Sequence, residues 1–166
     1  MKIMWLARDI ELENYNNGKG IRMVIWNQGC LLHCPGCHNP ETWKEKCGLY
    51  KPISYIEQQI WKNKERHQGI TLSGGDPFLQ SRENTEIAKY AHKLGLDVWA
   101  YCGSTFEELI KYEETKKLLE QCDVLVDGPF ILKERDISLP FRGSRNQRII
   151  DVEKSLKCGK VVLLNI

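Results

Sequence analysis

The strongest constraint on the fold is the alternation of strand-like and helix-like segments along the chain. Residues 21–28 (IRMVIWNQ) are rich in branched and aromatic apolar residues, as in a buried strand. Residues 54–66 and 84–95 instead carry apolar residues at helical spacing, and residues 160–166 predict a last strand. Such alternation is typical of an α/β fold with a mainly parallel sheet. With about six core strands, too few for a closed eight-stranded barrel, the sequence predicts a partial (open) TIM-like barrel.

Several local signals predict where the helices begin. Ser54 with Glu57, and Thr105 with Glu108, have the spacing of a capping box, in which side chain and backbone cap each other. Asn84 stands at the start of its helical segment and is predicted to be the N-cap.

Length and charge exclude several classes of protein. A chain of 166 residues favours one domain, residues 1–166, and its net charge of +2 includes no basic block typical of nucleic-acid binding. The N-terminal sequence lacks the apolar core of a signal peptide, and no run reaches the ~18 apolar residues of a membrane span. We therefore expect a cytoplasmic protein with no nucleic-acid or membrane partner. In that reducing compartment, clustered cysteines are more often metal-binding or catalytic than cross-linked.

Three of the seven cysteines lie close together in the segment WNQGCLLHCPGCHNPETW, residues 26–43. Cys30, Cys34 and Cys37 follow the pattern C-x-x-x-C-x-x-C. Thiolates are soft ligands that suit zinc and iron–sulfur clusters. The cysteine spacing alone therefore predicts a metal site without deciding which kind.

Alternatives remain open at this point. A zinc site needs a fourth ligand, for which His33, His38 and Cys47 are candidates. The C-x-x-C pair alone is also compatible with a redox site. A four-iron, four-sulfur (4Fe-4S) cluster held by three cysteines would leave one iron without a protein ligand, and an open metal position is typical of catalytic sites.

The cysteine pattern, followed by a strand that ends in GGDP, resembles the radical S-adenosylmethionine (radical SAM) enzymes. The segments GIRMVIWNQGC, GITLSGGDP, DVWAYCG, DVLVDGPF and FRGSRNQRIIDV extend the similarity over residues 15–152. Together they resemble the family of activating proteins of anaerobic ribonucleoside-triphosphate reductase.

This resemblance implies roles for particular residues. The implied ligands of a 4Fe-4S cluster with one open iron are Cys30, Cys34 and Cys37. The residues implied to contact the adenosine part of S-adenosylmethionine are Gly36, Cys37 and His38. The turn implied to receive the methionine amino group consists of Gly74, Gly75 and Asp76. Much of the superfamily has Glu where this chain has Asp76.

The resemblance also implies an activity and partners. Reductive cleavage of S-adenosylmethionine at the cluster would give a 5′-deoxyadenosyl radical, which would generate a glycyl radical on the large subunit of the anaerobic reductase. Flavodoxin or ferredoxin would supply the electron. The alternatives are activation of another glycyl-radical enzyme, such as pyruvate formate-lyase, a small-molecule radical SAM reaction, or a non-catalytic zinc or iron–sulfur module.

Two features of the sequence each allow two interpretations. Cys102 ends a predicted strand, where it either packs in the core or touches the cofactor. Arg142, Asn146 and Gln147 lie in the FRGSRNQR run, which either is a polar surface loop or helps to shape the partner edge or the cofactor site.

Overall fold

A computed structural model describes all residues, 1–166, and places one mixed β-sheet at the centre of the molecule. Its eight strands are β1 (Ile3–Leu6), β2 (Glu11–Asn14), β3 (Arg22–Asn27), β4 (Leu49–Pro52), β5 (Gly69–Gly74), β6 (Asp97–Cys102), β7 (Val124–Asp127) and β8 (Arg148–Asp151). Its five α-helices are α1 (Ile53–Asn63), α2 (Ser81–Lys93), α3 (Phe106–Leu109), α4 (Glu113–Leu119) and α5 (Val152–Cys158). None of the helices has the length and apolar character needed to cross a membrane.

The centre of the sheet is parallel and its flanks are antiparallel. The strand order is β4-β1-β3-β5-β6-β7-β8, with β2 paired to β3 outside this path, so the sheet does not close on itself. Strands β3, β5, β6 and β7 run parallel, connected through helices, whereas β1, β2, β4 and β8 are antiparallel to their neighbours. The predicted α/β class with a mainly parallel central sheet is confirmed.

The predicted number of about six strands is wrong. The sequence prediction missed β1, β2 and β4, which are four residues long. Strands β1 and β4 pair with each other although they lie far apart in the chain, and β2 pairs with the strand that follows it, β3. The strand predicted at residues 160–166 is not formed; the segment contributes one isolated bridge, between Ile150 and Leu163.

Of the two predicted capping boxes, one is absent and the other is formed. The capping box predicted at Ser54 is wrong, because β4 runs directly into α1 and the cap is Pro52, without a side-chain hydrogen bond. The amide of Ile53 instead donates to the carbonyl of Lys2 at 2.9 Å. The capping box of Thr105 with Glu108 is confirmed at the start of α3.

Asn84 is not a cap but lies inside α2, which begins three residues earlier. A 3₁₀ turn, Pro77–Gln80, leads directly into the helix. The Asn84 side chain is fully buried and donates to Asn27 Oδ1 and to the carbonyl of Pro77, both at 2.8 Å. It therefore joins the helix to the end of β3.

The two faces of the sheet are covered differently. One face and the helices form a core of 26 buried residues, to which Ile25, Leu72 and Val98 contribute from the strands. The opposite face carries a small cluster around Trp99, packed against Phe141 of the irregular segment 128–147. Alternate residues of a strand point to opposite faces, so the central strands serve both sides. The second face is where a cavity forms.

Candidate functional site

The cysteine loop and the SGGDP turn meet at the same edge of the sheet. The first follows β3, the second follows β5, and these parallel strands pair with Asn27 opposite Gly74. The amide of Gly75 donates to the carbonyl of Asn27 at 2.8 Å, and that of Asp76 donates to the carbonyl of Gly29 at 2.7 Å. The prediction that the two motifs lie close in space is confirmed.

Backbone hydrogen bonds hold the cysteine loop closed at its base. The amide of Gly29 donates to Thr42 at 2.7 Å, and that of Cys30 donates to Trp43 at 3.0 Å. The buried Gln28 side chain donates to two further carbonyls on the returning part of the loop. The loop is therefore fixed at both ends, while its cysteines remain at the surface.

The three thiols fit the donor set of an iron–sulfur cluster. Cys30, Cys34 and Cys37 are free and partly exposed. The amide of Asn39 donates to the sulfur of Cys37 at 3.4 Å. Amide hydrogen bonds to sulfur are among the contacts that tune bound iron–sulfur clusters.

The thiol of Cys30 is partly buried, and this affects its ionisation. Burial raises its pKa, while hydrogen bonds from the backbone of Leu32 and His33 oppose the rise. Metal binding needs the thiolate, so loading a cluster would release this proton.

A single-ion metal site is not formed by the chain. No group of three or more His, Cys, Asp and Glu side chains is arranged to hold one ion. The His33 ring stacks on Trp43 at 4.5 Å, the His38 ring faces Phe130 at 5.2 Å, and Cys47 is exposed. The candidates for a fourth zinc ligand thus do not converge with the cysteines. An iron–sulfur cluster does not require its cysteine ligands to converge on one ion, because each cysteine binds a different iron.

Gly74 brings the turn after β5 against the backbone of β3. Its φ is +106°, and a Cβ at this position would lie 2.5 Å from the amide nitrogen of Asn27. Both the positive φ and the close contact require glycine.

Asp76 is buried at the end of this turn. Its Oδ1 accepts hydrogen bonds from the amide of Phe78 at 2.9 Å and from the Cys102 thiol at 3.4 Å. Burial raises the pKa of Asp76, and these two donors partly offset that effect. The core packing expected of Cys102 is confirmed, since it is 5% exposed. Its hydrogen bond to Asp76 was not foreseen.

A cavity of about 640 Å³ opens beside the cysteine loop on the second face of the sheet. This volume lies in the range of sites that bind small molecules. Cys37 and His38 line it, and Ser73 connects it to the SGGDP turn. Gly36, Gly74, Gly75 and Asp76 do not line the cavity.

Gly36 has a different environment from that of its two neighbours in the loop. A Cβ at Gly36 would lie 2.9 Å from Leu132 and 3.3 Å from Phe130. The structure thus brings Cys37 and His38 to the cavity and turns Gly36 towards the segment after β7.

Of the other lining residues, the sequence prediction missed Tyr101, whereas it left open a role at the cofactor site for Arg142 and Gln147. Tyr101, Arg142 and Gln147 line the cavity wall formed by β6 and the segment after β7. The Tyr101 hydroxyl donates to the carbonyl of Phe141 at 2.6 Å, and Phe141 has a φ of +60°. Such a conformation is uncommon for a bulky residue and needs support from its surroundings. The FRGSRNQR run was the available signal, but it did not show which face of the sheet the segment would cover.

Two comparisons with known proteins show what the chain is similar to. Residues 16–150 match the family described as "4Fe-4S single cluster domain". An Escherichia coli (strain K12) protein named "Anaerobic ribonucleoside-triphosphate reductase-activating protein" is 36% identical over 141 residues, which cover 79% of this chain and 88% of the relative.

Proteins of the same name from two other sources are similar in extent. The Haemophilus influenzae protein is 35% identical over 143 residues, with 80% of this chain and 89% of the relative covered. The Enterobacteria phage T4 protein is 34% identical over 144 residues, with 82% and 87% covered.

Proposed function

The chain belongs to the family of anaerobic ribonucleoside-triphosphate reductase-activating proteins, and we propose that it activates such a reductase by radical SAM chemistry. The observation that carries this proposal is the cysteine loop, fixed at its base beside a cavity of cofactor size. The relatives' names supply the macromolecular target.

Cys30, Cys34 and Cys37 would hold the 4Fe-4S cluster. When bound and reduced, the cluster would supply the electron for cleavage of S-adenosylmethionine to methionine and a 5′-deoxyadenosyl radical, and this radical would take a hydrogen atom from a glycine of the reductase. The chain's own contribution would be to position the cofactor. The hydrogen bonds at the two ends of the loop support this role, because they hold the base of the segment that carries the three ligands.

The SGGDP turn would receive the methionine amino group. Asp76 uses Oδ1 for Phe78 and Cys102, so its Oδ2 remains available to an ammonium group. A carboxylate that accepts a charge-assisted hydrogen bond is a strong partner for such a group. Gly74 and Gly75 would contribute backbone contacts. Cys37 and His38, which line the cavity, would contact the adenosine, and Gly36 would form the turn that precedes them.

The proposal also includes the finer architecture. We take residues 1–166 as one radical SAM domain whose open sheet is an incomplete barrel. The single path of paired strands from β4 to β8 supports this view. An open edge suits a macromolecular substrate, whose glycine-bearing segment must reach the cavity.

The electron donor and the compartment belong to the same proposal. A flavodoxin or ferredoxin would reduce the cluster, and a reducing cytoplasm would preserve the thiols. All seven cysteines are free, which supports the proposed reducing compartment.

Anaerobic reconstitution tests the function. The protein should bind four irons and four sulfides, cleave S-adenosylmethionine when reduced, and produce a glycyl-radical electron paramagnetic resonance signal on the reductase large subunit. Cys34→Ala is the matched control and should do none of these. A colourless, zinc-containing protein that leaves S-adenosylmethionine intact would overturn the proposal, and a radical formed only on pyruvate formate-lyase would redirect it to that enzyme.

A further inference from the structure

Four apolar side chains are exposed beside the cysteine loop and form what we call the apolar rim. Two belong to the loop, between its first and second cysteines, and two belong to the segment after β7: Leu31, Leu32, Ile131 and Leu132. Leu31 is 68% exposed and Leu132 is 54% exposed. Single exposed apolar residues are ordinary on a protein surface, so such residues indicate a binding site only where they adjoin one another.

The two halves of the apolar rim are in contact with each other's segments. A Cβ at Gly36 would lie 2.9 Å from Leu132 Cδ1, so Leu132 covers the turn of the cysteine loop. A Cβ at Gly103, directly after β6, would collide with Leu32 Cδ1 and would lie 3.9 Å from the Cα of Pro129. Leu32 therefore reaches the start of the segment after β7, and the two segments meet through side chains of the rim.

The segments that carry the apolar rim contain no formal charge. Residues 29–37 and 128–132 include no Lys, Arg, Asp or Glu. Depletion of charge together with exposed apolar side chains is typical of the centre of a protein–protein interface. A partner with an acidic docking face would need basic groups in these two segments. The rim therefore fits an uncharged apolar segment better than an acidic surface.

The apolar rim adjoins the cavity beside the cysteine loop. Phe130, which precedes Ile131, lines this cavity, as do Cys37 and His38 at the end of the loop. The rings of Phe130 and His38 face each other at 5.2 Å, so the cavity wall and the rim belong to the same contact between segments. A polypeptide that enters the cavity from this side has to cross the rim.

We propose that the apolar rim docks the glycine-bearing segment of the anaerobic reductase. This inference rests on the proposed function, since it takes the reductase as the macromolecular substrate. A glycine has no side chain to be recognised, so the binding energy that brings it to the cavity has to come from the residues that flank it. Apolar flanking side chains would be buried against the rim while the glycine reaches the cavity.

The test is the dependence of glycyl-radical formation on the concentration of reductase. Electron paramagnetic resonance measures the radical, and a chemical reductant replaces the electron-donor protein. The variants are Leu31→Ser, Ile131→Ser and Leu132→Ser, with Leu163→Ser as the matched control. Leu163 is 60% exposed, but it pairs with Ile150 at the β8 edge and does not line the cavity.

We expect Leu31→Ser and Leu132→Ser each to raise the reductase concentration for half-maximal radical formation about tenfold, because each removes an apolar side chain that the complex buries. Cleavage of S-adenosylmethionine without reductase should stay within about twofold of wild type, since the apolar rim lies outside the cavity lining. Leu163→Ser should match wild type in both measurements.

Unchanged half-maximal concentrations in Leu31→Ser and Ile131→Ser would overturn the proposal, and so would an equal increase in Leu163→Ser. Two further results would also overturn it by giving the rim another occupant. Normal radical formation with the chemical reductant but not with flavodoxin would assign the rim to the electron donor. Normal radical formation by a variant that no longer self-associates in sedimentation velocity would assign it to a second copy of the chain.

Iron content is measured for every variant as a control for the cysteine loop. If Leu132→Ser lowers it through the contact with Gly36, then Leu31→Ser and Ile131→Ser decide the outcome. A wild-type protein that forms no radical at any concentration of reductase would refute the proposed function itself, which is a different result from equal half-maximal concentrations in all variants.

Discussion

At the scale of single residues, the cysteine loop is stabilised by backbone hydrogen bonds at its base, which leaves its sulfurs accessible. Cys30, Cys34 and Cys37 are partly exposed, whereas Cys102 and Cys122 are buried in the core. Exposure and loop position, rather than residue type, separate the ligand candidates from the packing cysteines. Burial raises the pKa of Cys102 well above its ordinary value, which keeps this thiol protonated as a donor to Asp76.

Replacing any one of the three loop cysteines by alanine should remove a cluster ligand. We expect iron content to fall and S-adenosylmethionine cleavage to be lost, because only two of the three cysteine ligands of the cluster remain. Cys47→Ala and Cys158→Ala are the matched controls, since both residues are exposed. Iron analysis and quantification of 5′-deoxyadenosine measure the effect. Retained activity in a loop variant, or its loss in Cys47→Ala, would favour a different ligand set.

Asp76 gives a pH-dependent prediction. Burial raises its pKa in the folded chain. Between the ordinary and the raised pKa the folded protein holds a proton that the unfolded chain releases, so this group's contribution to stability falls as pH rises through that window. The substitution Asp76→Asn removes this pH-dependent contribution to the free energy of unfolding. The free energy of unfolding of this variant, relative to wild type, should therefore increase from acidic towards neutral pH.

Asp136→Asn is the control of opposite sign. Hydrogen bonds from Ser138 lower the pKa of Asp136, so its contribution is present above the ordinary pKa and is lost as pH falls through the lowered value. Denaturant unfolding curves across the acidic range would compare the two variants. The same trend in both would contradict the assignment to Asp76.

At the scale of elements, the important junction is between the end of β5 and the start of the cysteine loop. Two backbone hydrogen bonds join them, from Gly75 to Asn27 and from Asp76 to Gly29. A Cβ at Gly75 would lie 2.3 Å from the carbonyl oxygen of Gly29. No side chain is involved in this contact, so it cannot relax by a change of rotamer.

Gly75→Ala should therefore separate the two loops. We expect a loss of about 2–3 kcal/mol in the free energy of unfolding, together with reduced cluster uptake, because the clash is with backbone. Gly95→Ala is the control, since Gly95 has a φ of +78° but open space around it. Gly95→Ala should lower the free energy of unfolding by about 1 kcal/mol and leave the iron content unchanged. Equal iron loss in both variants would argue against a specific role for the junction.

At the scale of the whole molecule, the helices cover one face of the sheet and leave the other for the cavity. The second face is stabilised at its far end by Arg22, which is fully buried. Its guanidinium donates to the Thr71 hydroxyl at 2.8 Å and to the carbonyl of Ile70 at 2.7 Å, and it pairs with Asp97. It also lies over the Trp99 ring at 5.4 Å. One side chain thus connects β3, β5 and β6.

Arg22→Met keeps much of the side-chain length but removes these hydrogen bonds. We expect the free energy of unfolding to fall by about 3 kcal/mol, at the low end of the range for breaking a buried ion pair, because Asp97 can regain some hydration. Arg82→Met is the control, since Arg82 pairs with Glu114 at the exposed surface and should change stability by less than about 1 kcal/mol. Denaturant titration measures both. An equal effect in the two variants would show that the buried network adds nothing.

The sequence by itself determined the α/β class, the parallel centre of the sheet and the cysteine-bearing loop that follows β3. These features depend on local periodicity and on the spacing of a few residues, which a chain carries independently of its surroundings. The neighbouring positions of the cysteine loop and the SGGDP turn also followed, since parallel strands place their ends at one edge.

Only the tertiary structure decided the short strands β1 and β4, the burial of Asn84 and the location of Arg142 in the cavity wall. Each of these depends on a partner far away in the chain: β1 and β4 pair with each other, Asn84 bonds to Asn27, and Arg142 reaches the cavity through the folding of segment 128–147 over the second face. Local pattern does not encode such partners, because the free energy that selects them comes from long-range burial and pairing.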